Sequence, residues 1–200
     1  MNVFRYRAVP CESGSAGVVI CPLDLLNGTC KADCYSRVSL RLKDGDKLPY
    51  RPGDSVDLFA CNNEADVSWL LRRMDGKVSP DQFLILKHNL ASRKSSPGGP
   101  PVDIPITPRF IIRHHLELHS LASRKTIRLL ATCCSNEDEK RILLKMGTRE
   151  GAQLYDKLIK KTSATIMDLL TTFSSCSPSL ETMLELFPPL AARPYSLIDE

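Results

Sequence analysis

The sequence predicts an α+β fold in which a partial antiparallel β-barrel is interrupted by a large helical insertion. Residues 35–42 (YSRVSLRL) alternate apolar and polar side chains, as expected of a strand with one buried face. From residue 63 the apolar positions recur every three to four residues, which indicates helices, and residues 193–198 are again typical of a strand. The periodicity of the apolar residues thus changes from that of strands to that of helices and back again, which places the helical block inside a β-domain.

The first quarter of the chain is predicted to consist of strands joined by tight turns. Residues 16–20 (AGVVI) form a short β-prone run, and residues 55–61 form another strand. Turns fall at residues 43–46 (KDGD) and 50–54 (YRPGD), because Asp-Gly and Pro-Gly pairs favour chain reversal. An antiparallel barrel or sandwich therefore fits better than a doubly wound sheet.

The insertion is predicted to open with a helix at residues 63–74. Its first turn is acidic (NEAD), and its apolar stripe includes Val67, Leu70 and Leu71. A short strand at residues 82–86 and a loop at residues 92–101 (SRKSSPGGPP) follow it.

Helix start signals define the remaining elements. Thr107 can cap a helix with Pro108 at its first position, and the apolar spacing extends this helix through Leu118. Ser123 can begin the next helix, and residues 135–138 (SNED) begin one that ends at Gly147. Three further helices are predicted at residues 150–161, 164–173 and 179–187.

These elements divide the chain into four segments. We expect an N-terminal segment at residues 1–15, the first part of the barrel at 16–62, the helical insertion at 63–190 and a barrel strand at 191–200. A lone terminal strand has to pair with another strand to be stable.

Composition excludes several classes of protein. Hydrophobic residues make up 42% and charged residues 25% of the chain, which excludes wholesale disorder. The net charge of +4 gives no sign of a nucleic-acid partner. No run approaches the ~20 apolar residues of a membrane span, and no signal peptide is visible, so we expect a cytoplasmic protein with no membrane partner.

No metal or catalytic centre is predicted. The cysteines are expected to be reduced, because no export signal places them in an oxidising compartment. His114, His115 and His119 are predicted to share one helix, but they lack the H-E-x-x-H order and an evident third ligand. No phosphate-binding glycine loop and no G-x-S-x-G motif occurs in the sequence.

The strongest candidate binding residues are Arg193, Pro194, Tyr195 and Ser196. Arginine offers a forked pair of donors for a pyrophosphate, tyrosine a flat aromatic ring, and serine a hydroxyl. On an extended strand Arg193 and Tyr195 point to the same face. They can therefore hold a flat ring and its phosphate tail at the same time.

Three motifs, in this order, resemble the diflavin reductase family. The turn at residues 50–54, the strand after it and residues 62–64 (NNE) resemble the FAD-binding domain of that family. Residues 147–155 (GTREGAQLY) are similar to its helical connecting region. Residues 193–196 (RPYS) match its R-x-Y-[ST] flavin motif.

The resemblance implies a ferredoxin-reductase-type FAD domain with FAD as its cofactor. Arg193 would hold the FAD pyrophosphate, Tyr195 would stack on the isoalloxazine ring, and Ser196 would hydrogen-bond near the reactive ring nitrogen. No residue of this chain is assigned a catalytic role, because the redox chemistry belongs to the cofactor.

The resemblance also implies partners. NADPH would reduce FAD, and electrons would pass to FMN in a flavodoxin-like domain and then to an acceptor protein, for which residues 167–178 (MDLLTTFSSCSP) indicate methionine synthase. The NADPH-binding domain and the family's second FAD motif, expected after Ser196, are not found before Glu200. We therefore expect a fragment that is inactive alone.

A cluster of basic residues supports an alternative hypothesis from another class of function. The residues are Arg109, Arg113, Arg124, Lys125 and Arg128. Few aromatic side chains accompany them, which argues against single-stranded nucleic acid. The alternative is a non-enzymatic helical docking module whose basic face binds an acidic flavodoxin-like domain or another acidic partner.

Overall fold

The computed structural model describes residues 51–58, 60–88 and 99–196, together with the backbone of three strands at residues 6–10, 24–28 and 37–41. Two compact units make up the chain. The larger comprises Met1–Ala16 and Phe59–Ala192, and the smaller comprises Gly17–Leu58 and Arg193–Glu200. Helices and strands occur together, which confirms the predicted α+β class.

The strands and helices have the following bounds. The strands are β1 (Tyr6–Pro10), β2 (Asp24–Gly28), β3 (Arg37–Arg41), β4 (Ser55–Leu58), β5 (Leu84–His88), β6 (Pro105–Ile106) and β7 (Arg193–Ser196). The α-helices are α1 (Glu64–Arg73), α2 (Pro108–His115), α3 (Arg124–Ala131), α4 (Glu137–Gly147), α5 (Ala152–Tyr155), α6 (Ile166–Thr172) and α7 (Leu180–Leu186). A π-helical turn, Asp156–Lys160, directly follows α5.

The strands pair in three small antiparallel sheets. In the larger unit β5 lies between β1 and β6, whereas β2 pairs with β3 and β4 pairs with β7 in the smaller unit. Within the described part of the chain these sheets do not close into a barrel. The strands predicted at residues 35–42, 55–61 and 82–86 are present as β3, β4 and β5. The predictions at residues 16–20 and 43–46 lie outside the described residues, and so does most of the loop predicted at residues 92–101.

Most helices begin where a side chain caps them. The hydroxyl of Thr107 accepts a hydrogen bond from the backbone N–H of Phe110, and Pro108 occupies the first helical position of α2. Thr165 and Asp168 form a reciprocal capping box at the start of α6. The capping side chains of the other helices that have one are Asn63, Ser123, Asn136 and Ser179. These caps are local in sequence, which explains why the helix starts were predictable.

The helix predicted to reach Leu118 ends earlier, at His115. The side-chain amide of Asn62 donates to the carbonyl oxygens of Ile112 and Leu116, both at 2.7 Å, and satisfies the end of α2. Leu116 then forms an antiparallel β-bridge with Pro189. Tertiary contacts therefore override the apolar spacing after His115, and the prediction that three histidines share one helix is wrong.

Among the residues whose burial the structure describes, the core lies in the larger unit. Phe187, Leu70 and Leu84 are among its largest fully buried side chains, and they come from a helix end, a helix and a strand. The structure describes no helix long and apolar enough to cross a bilayer.

Gly151 is required by a close backbone approach before α5. A Cβ atom at this position would lie 1.9 Å from the carbonyl oxygen of Lys145, which is far inside van der Waals contact. The glycine therefore lets the segment after α4 turn back against the end of that helix.

Arg73, at the end of α1, binds backbone carbonyls in the last turn of α6 and in the segment after it. Its guanidinium donates to the carbonyl oxygens of Leu170, Phe173 and Ser174 at 2.8 to 3.2 Å, and to that of Cys176 at 2.9 Å. These carbonyls include unsatisfied acceptors at the end of α6, so Arg73 acts as a distant helix cap. We call this set of contacts the Arg73 clamp.

The structure joins Cys134 and Cys176 in a disulfide. The expectation of reduced cysteines is therefore wrong for this pair, whereas Cys61 and Cys133 are free. The two paired residues are 42 positions apart in sequence, and an isolated β-bridge brings their Cα atoms to 4.0 Å. No local pattern marks such a pairing.

Candidate functional site

The four predicted flavin residues all lie on β7, next to β4. The register places Ser196 opposite Ser55, Tyr195 opposite Val56, and Arg193 opposite Leu58. Both strands belong to the smaller unit. The sequence predicts no partner for the terminal strand. In the structure this strand, β7, pairs with β4, which follows the predicted turn at residues 50–54.

One face of this strand pair combines the arginine and the tyrosine with aliphatic side chains. Alternation along β7 puts Arg193 and Tyr195 on the same face. Directly paired residues of antiparallel strands share a face, so the half-buried Val56 and Leu58 lie beside them. An aromatic side chain opposite a β-branched one is a favourable cross-strand pair, and Val56 can therefore steady the ring of Tyr195.

The side chains of β7 are accessible. All four of its residues are exposed, and Tyr195 is one of the exposed large hydrophobic residues at 51%. Among the described residues, none forms a hydrogen bond or an ion pair with the guanidinium of Arg193. An accessible aromatic ring and an accessible cation, side by side, are suited to a ligand with a flat ring and an anionic tail.

A tight turn precedes β4. The backbone N–H of Asp54 donates to the carbonyl oxygen of Arg51 at 2.9 Å, and the N–H of Arg51 donates to the Asp54 carboxylate at 2.8 Å. Gly53 has a φ of 94°, which favours glycine. The turn predicted at residues 50–54 is confirmed for its described residues, 51–54.

The predicted basic cluster is largely engaged within the chain. Arg109 forms ion pairs with Glu64 at 2.6 Å and with Asp81 at 2.8 Å, and these carboxylates raise its pKa. Arg113 also pairs with Glu64, at 3.2 Å. Two of the five cations are thus partly neutralised, which weakens the case for one continuous basic face.

Other cations of that cluster lie on α3. Arg124 donates to the carbonyl oxygen of Thr148 at 2.8 Å and lies over the ring of Tyr155 at 4.8 Å from its centroid. The hydroxyl of Tyr155 in turn donates to the carbonyl oxygen of Ala122. Tyr155 belongs to the motif at residues 147–155, and its contacts show a packing role that joins α5 to α3.

The histidines do not form a metal site in the described structure. His114 and His115 are partly buried near Phe110, and burial lowers the pKa of both imidazoles. His119 lies beyond α2, and its Nε2 atom lies 3.1 Å from a carboxylate oxygen of Asp66. The sequence predicts one helix for all three histidines. In the structure His119 lies outside α2 and contacts Asp66, whereas His114 and His115 contact Phe110.

Comparison with known proteins decides the family. The family model described as FAD binding domain matches residues 35–199, which is most of the chain. The chain belongs to this FAD-binding family. The match spans β3, β4, the described helices and β7, so it includes all three motifs and nearly all of the larger unit.

Relatives of this FAD-binding chain have reductase names. Methionine synthase reductase from Mus musculus is 33% identical over 152 residues, which are 75% of this chain and 22% of the relative. The protein of that name from Homo sapiens is 32% identical over 149 residues, covering 74% and 21%. NADPH–cytochrome P450 reductase from Dictyostelium discoideum is 31% identical over 161 residues, covering 79% and 23%. The chain spans about a fifth of the length of these relatives.

The FAD-binding family confirms FAD as the predicted cofactor, and the residues on β7 fit it. FAD combines a flat isoalloxazine ring with a pyrophosphate, and the exposed face holds an aromatic ring and a cation two residues apart. Sequence reasoning missed Val56, which lies opposite Tyr195. It had no signal for that residue, because register between strands about 140 positions apart is a tertiary property.

Proposed function

We propose that this chain is the FAD-binding region of an NADPH-dependent diflavin oxidoreductase of the methionine synthase reductase type. The observation that supports this most directly is the exposed pair of Arg193 and Tyr195 on one face of β7, in a chain of the FAD-binding family. A bound FAD would supply the redox chemistry, which is hydride acceptance from NADPH and one-electron transfer toward FMN. The protein supplies binding, orientation and electrostatics.

Each residue of the β7 motif has a separate task in this proposal. The guanidinium of Arg193 donates forked hydrogen bonds to the pyrophosphate and balances its charge. The ring of Tyr195 would stack on the isoalloxazine, and Val56, on the same face, would pack beside that ring. Pro194 fixes the backbone dihedral between them.

Ser196 needs a different geometry from Tyr195. Alternation turns its side chain to the opposite face of β7. Ser196 directly follows Tyr195 and is the last described residue of β7. We therefore assign its hydroxyl to the edge of the isoalloxazine, near the reactive nitrogen, where it can donate a hydrogen bond.

The domain assignment is part of the proposal. Residues 16–62 and 191–200 would belong to a partial antiparallel barrel that binds FAD, and residues 63–190 would form the helical connecting insertion. The division of the chain into two units, with β4 and β7 in one and the described helices in the other, supports this assignment.

The partners follow from the same family. Electrons would pass from an NADPH-binding domain through FAD to an FMN-binding flavodoxin-like domain, and from there to methionine synthase in the cytoplasm. The names of the mouse and human relatives support methionine synthase as the acceptor. The ion pairs of Arg109 and Arg113 give less support to the alternative of a basic docking module without a cofactor.

An NMR titration of the full 200-residue chain with FAD tests the site. We expect weak binding, because a single arginine makes fewer hydrogen bonds to the pyrophosphate than a complete phosphate-binding site does. Amide shifts should concentrate at residues 55–58 and 193–196. Arg193→Ala should lower FAD affinity about tenfold or more, the effect of losing a charge-assisted hydrogen bond of about 1.5–3 kcal/mol.

Arg149→Ala is the matched control, because it removes an exposed arginine from the helical unit. Equal loss of affinity in both variants would contradict the assigned site and indicate nonspecific attraction between charges. The chain alone should also show no flavin bleaching when NADPH is added. Micromolar binding followed by NADPH-driven reduction would contradict our proposal that the chain is inactive by itself.

A further inference from the structure

Two cysteines and a glutamate meet near the end of α3, in the larger unit. The sulfur atoms of Cys134 and Cys176 and a carboxylate oxygen of Glu139 all lie within 4.8 Å of one another. Cys176 is 1% exposed and Cys134 is 9% exposed, whereas Glu139 is only partly buried. The sulfurs therefore face the core and the carboxylate approaches from the accessible side.

The surrounding contacts hold these three groups in place. Glu139 accepts hydrogen bonds from the backbone N–H of Ser175 at 3.0 Å and from its hydroxyl at 2.6 Å. Those two hydrogen bonds fix the direction of the Glu139 carboxylate beside the sulfur atoms. The Arg73 clamp binds the carbonyl oxygen of Cys176, which fixes the backbone beside the sulfur.

We propose that Cys134, Cys176 and Glu139, with both cysteines reduced, form a binding site for a thiophilic divalent cation such as Zn²⁺, and that the disulfide is the closed form of this site. Two thiolates and a carboxylate are ligands that zinc accepts, and three protein ligands leave a fourth position for water. A disulfide has no need of a neighbouring carboxylate, whereas a cation bound by two thiolates gains from one.

The chemistry of the two forms balances. Binding of the cation releases the two thiol protons. Formation of the Cys134–Cys176 disulfide removes two electrons and two protons from the two thiols. A disulfide oxidant such as oxidised glutathione accepts them and is reduced to two thiols. The cation cannot bind while the sulfurs are bonded to each other.

Cys133 provides a matched control because it is adjacent in sequence but has different contacts. Its sulfur lies 3.7 Å from the carbonyl oxygen of Leu129 and 3.8 Å from the hydroxyl of Thr132. It is free and does not belong to the cluster of Cys134, Glu139 and Cys176.

The test is a titration of the reduced 200-residue chain with Co²⁺ alone, followed by absorbance. Cobalt bound by thiolates gives a sulfur-to-metal charge-transfer band in the near ultraviolet. We expect one equivalent to produce the band, Zn²⁺ to remove it by displacement, and Cys133→Ser to retain it. Cys134→Ser should lose it, and Glu139→Gln should weaken cobalt binding by at least about tenfold, a loss typical even for groups that only support a ligand.

Oxidation gives a second measurement that does not depend on a variant that folds. Oxidised glutathione should abolish the band of the unmodified chain while its far-ultraviolet circular dichroism stays unchanged. A reduced chain without the band would overturn the proposal, and so would an unchanged band in folded Cys134→Ser, since other cysteines would then bind the metal. Equal cobalt affinity in Glu139→Gln would overturn the role of the carboxylate.

Discussion

Helix α7 and strand β7 are only a few residues apart in sequence, yet they use their side chains in opposite ways. Five of the seven residues of α7 are buried, whereas all four residues of β7 are exposed. The buried residues of α7 are selected for packing, and the arginine and tyrosine of β7 are available to a ligand. The difference teaches that stability and cofactor binding should respond separately to substitution.

The largest effect that sharpens this comparison is expected for Phe187→Ala. Phe187 directly follows α7 and is 1% exposed, so its removal leaves a cavity in the core. We expect the free energy of unfolding to fall by about 3–5 kcal/mol. Tyr195→Ala, on the exposed strand, should change it by no more than about 0.5 kcal/mol. Urea unfolding followed by circular dichroism measures both, and similar losses would break the comparison.

An intermediate effect is expected at the Arg73 clamp. Arg73→Ala leaves four carbonyl oxygens without their charged donor and should lower the free energy of unfolding by about 1.5–3 kcal/mol. Arg72→Ala removes the neighbouring arginine, which is exposed in the same last turn, and should have little effect. Urea unfolding of the two variants gives the comparison. An equal effect of both would show that net charge, and not the clamp, stabilises the unit.

The smallest effect is expected at the capping box of α6. Thr165→Ala should lower the free energy of unfolding by about 1 kcal/mol. Hydrogen bonds from the backbone and side chain of Thr165 lower the pKa of Asp168 below its ordinary value of 3.8. The stabilisation by Asp168 is therefore present above that pH and is lost as the pH falls through the lower pKa of the folded state.

The measurement for this cap compares Asp168→Asn with the unmodified chain in urea at a series of pH values. The difference in unfolding free energy should be constant near neutral pH and should shrink in acid below about pH 4. A difference that grows on acidification would contradict the assigned sign.

Local features were predictable from the sequence, and distant pairings were not. Thr107, Ser123 and Gly147 mark helix ends through contacts with residues a few positions away, and the structure places those ends there. The predicted end of α2 was wrong, because the helix is terminated by the side-chain amide of Asn62, about 50 residues earlier in the chain. The apolar pattern of a segment predicts the structure of that segment alone. Contacts between distant segments, such as that of Asn62 with α2, depend on the tertiary fold.

The candidate site shows the same division. Arg193 and Tyr195 were found from their chemistry and from the order of three motifs. The register that sets Tyr195 opposite Val56 had no local signal. The Cys134–Cys176 pair was missed for the same reason, since an isolated bridge leaves no periodic pattern in either segment.

The Arg73 clamp joins residues that the ribosome adds to the chain at widely different times. Arg73 and its carbonyl partners are 97 to 103 residues apart in sequence. At about 5–20 residues per second, the ribosome needs roughly 5–20 s to make the partners after Arg73 has been added. During this interval the guanidinium of Arg73 has none of these four carbonyl partners. A translational pause before residue 176 would lengthen that interval.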